Sequence, residues 1–163
     1  MRTLLAFLLF TAVLRADPEY PKMGPDIYDI HADGARQIDA ALAQARAAHK
    51  RVLLDFGANW CIWCRRLNAT FQGDLSVAAK LSDSYVLVMV DVNRHHGPAR
   101  NPDLIVKYGN PVRLGIPVLV VLDSGGRQLT TKDSGELEEG EGHSPRKILE
   151  FLGEWSEKVK PPA

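Results

Sequence analysis

The sequence predicts a single α/β domain, in which helices cover both faces of a central mixed sheet. Apolar runs of strand length occur at 51–58, 85–92 and 116–123, and segments with helical periodicity separate them. Strands that alternate with helices favour a parallel sheet, to which a late hairpin adds antiparallel strands. The length of 163 residues, of which 45% are hydrophobic and 25% charged, suits one globular domain.

Residues 1–16 have the layout of a secretory signal peptide. A basic residue precedes an apolar run that ends at Leu14, and a small residue, Ala16, follows the run. The run is too short for a membrane-spanning helix, which needs about 20 residues. An uncleaved anchor is the alternative, because Leu14 is a weaker cleavage signal than alanine. We therefore expect an exported protein, periplasmic or secreted, with an extended lead-in at 17–26 and the folded domain at 27–160.

The remaining elements follow from spacing, caps and turns. Residues 27–30, IYDI, suggest a short first strand, and Asp33 suits the N-cap of a helix that ends near Lys50. Further elements are predicted in the order helix 61–72, helix 75–83, helix 102–109, a β-hairpin of strands 116–123 and 127–131, and a last helix that starts at Ser144 and Pro145. The acidic stretch 133–143 predicts a solvated loop.

The composition argues against a nucleic-acid-binding surface and against a metal site. The 20 basic and 20 acidic side chains give a formal net charge of zero, without a clustered basic face. His95 and His96 are adjacent and the other histidines are scattered, so no pair has the spacing that completes a zinc site with two cysteines. We therefore expect no nucleic-acid partner, no metal and no cofactor.

The two cysteines of the chain lie three positions apart in the stretch VLLDFGANWCIWCRRL, residues 52–67. A bridge over two intervening residues restrains the unfolded chain little, so stability is a poor explanation for the pair. Cys61 would lie at a helix N-terminus, where unpaired N–H groups and the helix dipole favour a thiolate. Cys64, one turn further on and more buried, would resolve a mixed disulfide on Cys61. The pair is interpreted as a working dithiol.

Asp55 interrupts the apolar strand six residues before Cys61. An ionised carboxylate is costly there unless it is solvated or paired, and such a group tends to have a raised pKa. One interpretation is that Asp55 accepts and donates a proton for Cys64. The other is a strand-end aspartate bonded to the backbone, and position alone does not choose between them.

The stretch 52–67 resembles the active-site strand, loop and helix of the thioredoxin superfamily, and LGIPVLVVLDSGGRQL, residues 114–129, resembles its cis-proline strand and hairpin. The resemblance extends over roughly 27–160 and implies a thioredoxin-like fold. It implies four site residues: Cys61 as the nucleophile, Cys64 as the resolving thiol, Asp55 as the buried acid–base group, and Pro117 after a cis bond that faces the dithiol.

The resemblance also implies a substrate-binding surface around the cysteines. The Ile116 backbone would pair with an extended substrate, because Pro117 has no N–H group. Trp60 would pack beside the loop and shield Cys61. Ile62 and Trp63 lie in the first helical turn, where an exposed apolar patch would suit docking of protein chains. Packing into the core is the alternative for these side chains.

The sequence departs from common thioredoxins between and before the cysteines. Ile62 and Trp63 replace the usual Gly-Pro, and Ala58 and Asn59 replace a small-acidic pair. The resulting W-C-x-W-C pattern resembles exported thioredoxin-like proteins. It is also similar to the C-terminal domain of the bacterial transmembrane thiol–disulfide interchange protein.

The resemblance implies a thiol–disulfide oxidoreductase that acts on protein disulfides without a cofactor. A histidine between the cysteines would stabilise the thiolate and make the enzyme more oxidising, so its absence favours a reductant. A reductant in an oxidising compartment needs electrons, which we expect from a membrane donor, and we expect a monomer. The alternative is a peptide-binding or chaperone-like module of the same fold with little redox turnover.

Overall fold

The computed structural model describes residues 23–93 and 95–157, and it has a four-stranded sheet between two layers of helices. This architecture confirms the α/β class and the mixed sheet that the sequence predicts. The predicted signal peptide, 1–16, and residues 17–22 of the predicted lead-in lie outside the described residues. No helix in the described part of the chain has the length and apolar character that a membrane crossing requires.

The secondary structure agrees with most of the predicted elements. The helices are α1 (Gly34–Ala48), α2 (Ile62–Gly73), α3 (Leu75–Ser84), α4 (Pro102–Lys107) and α5 (Pro145–Trp155), with one-turn 3-10 helices at Pro111–Leu114 and Ser134–Leu137. The strands are β1 (Arg51–Gly57), β2 (Tyr85–Asp91), β3 (Val118–Leu122), β4 (Gln128–Asp133), β5 (Glu138–Glu139) and β6 (Gly142–His143). The predicted N-cap of α1 is confirmed, because the Asp33 carboxylate accepts from two N–H groups of the first turn.

The order of strands in the main sheet is β2-β1-β3-β4. Strands β1 and β2 are parallel, and α2 and α3 form the crossover between them. Strand β3 is antiparallel to both β1 and β4, as the predicted hairpin requires. The turn of this hairpin uses the positive φ of Gly126, 90°. Strand β1 therefore lies in the interior of the sheet and ends beside the N-terminus of α2.

Strand β1 sends alternate side chains into two different hydrophobic clusters. Val52, Leu54 and Phe56 pack on the face that α1 and α4 cover. Leu53 packs on the opposite face, which α2, α3 and α5 cover. Asp55 follows Leu53 by two positions, so its carboxyl group lies on the same face as α2. This alternation directs a charged group towards the helix that carries the cysteines.

The predicted first strand at 27–30 is wrong, because these residues form bends and a turn. The backbone N–H groups of Ile27 and Tyr28 both donate to Oδ1 of Asn59, over 2.8 and 2.9 Å, instead of to a neighbouring strand. As a result β2 lies at the edge of the described sheet. Three of its residues are half-buried, although the sequence predicts a fully buried strand.

The acidic stretch 133–143 is more structured than the predicted solvated loop. It contains a 3-10 turn and the short β5–β6 pair, and it buries the side chains of Ser134, Leu137 and His143. The Asp133 carboxylate caps the 3-10 turn by accepting from Gly135 N–H over 2.8 Å. Local capping and one apolar residue, Leu137, therefore fold a segment whose composition suggests solvent exposure.

Candidate active site

Cys61 occupies the N-cap of α2, with φ −81° and ψ 113°. Its Sγ accepts a hydrogen bond from the Cys64 N–H group over 3.1 Å, which satisfies one of the unpaired donors of the first turn. The Cys64 thiol, hydrogen-bonded to Cys61, lowers the pKa of Cys61 below its usual range. The N–H groups of Cys64 and Trp63 add to this effect, and burial opposes it. The helix start therefore favours a thiolate at Cys61.

Cys64 lies one turn into α2 and is fully buried. Burial, the hydrogen bond to Cys61 and the negative charge of Asp55 raise the pKa of Cys64 above its usual range. Both cysteines are free thiols. The two sulfur atoms consequently differ in protonation, with a thiolate favoured at one position and a thiol at the other.

Asp55 is 0% exposed and has one hydrogen-bond partner. The Tyr28 hydroxyl donates to its Oδ1 over 3.0 Å, and its Oδ2 atom has no partner among the described residues. Burial raises the pKa of Asp55 to about 7, and the Tyr28 hydrogen bond opposes this rise. The alternative of a strand-end aspartate bonded to the backbone does not describe this geometry. A carboxyl group with this pKa exchanges a proton near neutral pH.

The loop before β3 passes directly beside Cys61. The Ile116–Pro117 peptide bond is cis, as the resemblance implies, and Cys61 Sγ lies 3.5 Å from the carbonyl oxygen of Ile116. The hydroxyl of Ser134, in the acidic stretch, donates to the carbonyl oxygen of Pro117. Pro117 and Cys61 are therefore neighbours in space although they are far apart in the sequence.

Trp60 lies beside the cysteines in contact with the segment that follows β2. Its Nε1–H group donates to Oδ1 of Asn93 over 3.2 Å. The rings of His95 and His96 meet the indole edge to face, with centroid distances of 5.1 and 5.3 Å. The two histidines lie in the loop that follows β2, and both contact the Trp60 ring.

Ile62 and Trp63 differ in exposure. Ile62 is 45% exposed, whereas Trp63 is partly buried. The Trp63 ring meets His143 edge to face with centroids 5.7 Å apart, and the Arg66 guanidinium lies 4.6 Å from the indole centroid. Burial lowers the pKa of His143 to about 4, with a further contribution from Arg66, so this ring is neutral near pH 7.

Tyr28 and Asn59 belong to the site, although the sequence does not predict a role for either. Tyr28 is buried against the dithiol, and Asn59 holds the backbone of the segment that carries it. A buried carboxyl requires a donor, but no local pattern indicates which of four tyrosines provides it. Among the described residues, no group of three metal-ligating side chains converges, so the dithiol has no neighbouring ligand set.

Residues 33–124 match the family model described as thioredoxin-like. This span includes Asp55, Cys61, Cys64 and Pro117, so the dithiol and the cis-proline loop both lie within the match. The segment that carries Tyr28 precedes the match.

One curated relative is the thiol:disulfide interchange protein DsbD 1 of Pseudomonas aeruginosa, which is 32% identical over 123 residues. The alignment covers 68% of this chain and 20% of that protein, so the chain spans a small part of this relative's length.

Two solved structures are similar to this chain over about three quarters of its length. The disulphide isomerase of Xylella fastidiosa Temecula1 has a TM-score of 0.69 and 36% identity, over 78% of this chain and 95% of that one. The reduced C-terminal domain of DsbD from Neisseria meningitidis has a TM-score of 0.51 and 26% identity, over 76% and 96% of the two chains.

Proposed function

The chain belongs to the thioredoxin-like family, and on this premise we propose that it is a thiol–disulfide oxidoreductase with Cys61 as its nucleophile. The observation that carries the proposal is the unequal environment of the two sulfur atoms. Cys61 accepts N–H donors at a helix start, and Cys64 is buried beside a carboxyl group. Dithiol exchange requires this inequality, because one sulfur must attack while the other stays protonated.

The reaction proceeds through a mixed disulfide. The Cys61 thiolate attacks one sulfur of a substrate disulfide, and the other substrate sulfur leaves as a thiolate that takes a proton from solvent. Cys64 then loses its proton to Asp55 and attacks Cys61 Sγ, which releases the second substrate sulfur. The substrate gains two electrons, and the enzyme ends with a Cys61–Cys64 disulfide. Asp55 suits the role of proton acceptor because its pKa is about 7.

We propose protein disulfides as the substrates and the surface around Cys61 as their docking site. The Ile116 backbone pairs with an extended substrate segment, and Pro117 cannot compete for that pairing because it has no N–H group. Trp60, Ile62 and Trp63 provide apolar contact, and the exposed fraction of Ile62, 45%, supports this role.

We also propose that the protein is a reductant that acts outside the cytosol, in the periplasm or after secretion, as a monomer. The residues between the cysteines include no histidine, which favours reduction over oxidation. A reductant in that compartment receives electrons from a partner, and a membrane donor is the partner that we propose. The similarity to an interchange protein of Pseudomonas aeruginosa supports an electron-transfer role.

Trapping of the mixed disulfide tests the nucleophile. A Cys64→Ser variant cannot resolve the intermediate, so we expect it to retain disulfide-linked protein substrates through Cys61. The Cys61→Ser variant is the matched control and should retain none. Wild-type disulfide reductase activity in the Cys61→Ser variant would refute the proposal. Binding of unfolded chains without any turnover would instead favour the peptide-binding alternative.

The reduction potential of the Cys61–Cys64 pair tests the direction. A value near about −270 mV agrees with a reductant of the thioredoxin type, and a value near about −120 mV indicates an oxidant. Equilibration with glutathione or dithiothreitol, followed by alkylation of free thiols, measures this potential without knowledge of the physiological partner.

A further inference from the structure

We propose that Tyr28 relays the proton from the Cys64 thiol to the Asp55 carboxylate when a mixed disulfide on Cys61 is resolved. This inference rests on the proposed function and adds a residue to its chemistry. Tyr28 lies outside the residues that match the family model, and it is contributed by the segment that precedes α1.

The Tyr28 hydroxyl lies between the two groups that must exchange the proton. It donates to Asp55 Oδ1 over 3.0 Å, and it packs in the same buried cluster as the Cys64 side chain. Gly57 makes room for this arrangement. A Cβ atom at that position would lie 2.1 Å from the hydroxyl oxygen and 2.8 Å from Cys64 Sγ. Only a residue without a side chain leaves room for both the tyrosine hydroxyl and the sulfur beside this point of β1.

Tyr28 is held in place by the residues that flank the cysteines. Asn59 Oδ1 accepts from the N–H groups of Ile27 and Tyr28, and Asn59 Nδ2 donates to the Tyr28 carbonyl oxygen over 2.9 Å. Arg65 donates from Nε to the Asn59 carbonyl and from one terminal nitrogen to the Pro25 carbonyl, each over 2.9 Å. We call residues 25–28 the clasped segment. Its hydrogen bonds fix the tyrosine in the position that a relay requires.

The state of Cys61 controls when the relay operates. In the reduced protein the Cys64 thiol donates to Cys61, which favours the thiolate there. Once Cys61 is bonded to a substrate sulfur, it no longer carries the negative charge that attracts this proton. The Cys64 S–H group is then free to turn towards the Tyr28 oxygen, which lies in the same buried cluster.

The proton transfer and the sulfur exchange each conserve atoms and electrons. The S–H bond of Cys64 breaks as an O–H bond forms at Tyr28, while the original phenol proton moves to Asp55 Oδ1. Cys64 then attacks Cys61 Sγ, the Cys61–substrate bond breaks, and the substrate sulfur leaves with the electron pair. Tyr28 stays neutral throughout, because burial and the nearby Asp55 charge raise its pKa well above the usual range. The titratable groups that act on it are Asp55 from β1 and Cys64 from α2, and Cys61 acts through Cys64.

Stopped-flow reaction with the chromogenic disulfide dithiobis(nitrobenzoate) separates the two sulfur steps. Attack by Cys61 releases one coloured thiolate at a rate that depends on reagent concentration. Resolution by Cys64 releases the second coloured thiolate at a rate that is independent of reagent concentration. In Tyr28→Phe we expect the rate of the second phase to fall by about 10²-fold near pH 7, which is the lower end of the range for general acid–base catalysis. The rate of the first phase should stay unchanged. The rate of the second phase in this variant should also no longer depend on the ionisation of Asp55.

Tyr85→Phe is the matched control. It removes another buried phenol hydroxyl, which donates to the Leu152 carbonyl over 2.7 Å at the far end of β2. We expect both phases to keep their wild-type rates and pH profiles in this variant. Circular dichroism of both variants checks that neither has lost the fold.

The possible outcomes separate the relay from the proposed function. A Tyr28→Phe variant with the wild-type second phase and pH profile overturns the relay and leaves the dithiol mechanism standing. Slowing of both phases to the same extent in a folded variant also overturns it, because that result indicates a general structural role. A wild-type protein that releases no coloured thiolate overturns the proposed function, and the relay with it.

Discussion

The two cysteines lie only one helical turn apart, yet their surroundings differ completely. Cys61 is 5% exposed and lies next to the cis-proline loop and the exposed side chain of Ile62. Cys64 is enclosed, with Tyr28 and Asp55 as its polar neighbours. In the proposed mechanism, the outer side, formed by Cys61, Ile62 and the cis-proline loop, selects the disulfide that reaches the nucleophile. The inner side, formed by Cys64, Tyr28 and Asp55, receives the proton of the resolving thiol.

This contrast predicts that substitutions on the two sides produce different signatures. Changes on the inner side should alter stability, pH dependence and the resolution rate. Changes on the outer side should alter KM for protein substrates and leave the fold intact. Three substitutions test this separation, in order of decreasing expected effect.

Asp55→Asn should produce the largest change in stability. Burial raises the pKa of Asp55 from 3.8 to about 7, so between these values the native protein binds more protons than the unfolded chain. The contribution of Asp55 to stability is therefore fully present below the lower value and is lost as the pH rises through the upper one. The shift of about three pKa units corresponds to on the order of 4 kcal/mol. Above neutral pH the variant should be more stable by an amount of this order, although it resolves mixed disulfides more slowly.

Urea unfolding across the pH range measures this effect. Asp39→Asn is a suitable control, because the Asp39 side chain is exposed and its removal should leave the wild-type pH dependence in place. Parallel stability curves for wild type and Asp55→Asn would contradict the assignment of Asp55 as a buried group with a raised pKa.

Gly57→Ala should disrupt the inner side by steric conflict. The new methyl group would lie 2.1 Å from the Tyr28 hydroxyl and 2.8 Å from Cys64 Sγ, so one of them must move. We expect a loss of about 3 kcal/mol in the free energy of unfolding, the upper part of the range for overpacking, together with a slower resolution step.

Gly73→Ala is the matched control for this substitution. Gly73 ends α2 and nothing lies within 4 Å of a Cβ atom built on it. This variant should keep the wild-type resolution rate and should not lose stability. Equal destabilisation of the two glycine variants would show that crowding at Gly57 is not the cause.

Ile62→Ala should produce the smallest change and should affect only the outer side. We expect KM for an unfolded protein disulfide to rise about fivefold, which corresponds to about 1 kcal/mol of lost apolar contact, with kcat unchanged. Leu75→Ala is the control, because Leu75 is 85% exposed at the start of α3 and does not adjoin the cysteines. A change in stability or in the resolution rate of Ile62→Ala would remove the distinction between the two sides.

The local pattern of the sequence predicts the parts of the site that lie close together in the chain. The apolar run that contains Asp55, and the helical spacing of Cys64, Leu67 and Phe71, determine β1, α2 and the position of the thiols between them. The cis-proline loop is different, because only the resemblance to a known family indicates that Pro117 follows a cis bond. Neither composition nor spacing distinguishes it from other prolines.

The remaining parts depend on contacts between distant residues. IYDI has the composition of a strand, but Asn59, which follows it by about thirty positions, takes its backbone amides and turns Tyr28 inwards. His143 reaches Trp63 only because a 3-10 turn and a two-residue strand pair return the acidic stretch to α2. Local propensity carries no information about such partners, which explains why both segments were predicted incorrectly.

The clasped segment has a consequence for how the chemistry of this fold can vary. Residues 25–28 make no strand pair with the sheet, and they are joined to the cysteine loop by side chains of Asn59 and Arg65. In the proposed relay, a different segment in this place would replace the group that carries the proton from Cys64 to Asp55, while every residue of β1 and α2 stays the same. The proton path of the resolving thiol would then depend on a peptide outside residues 33–124, the span that matches the family model.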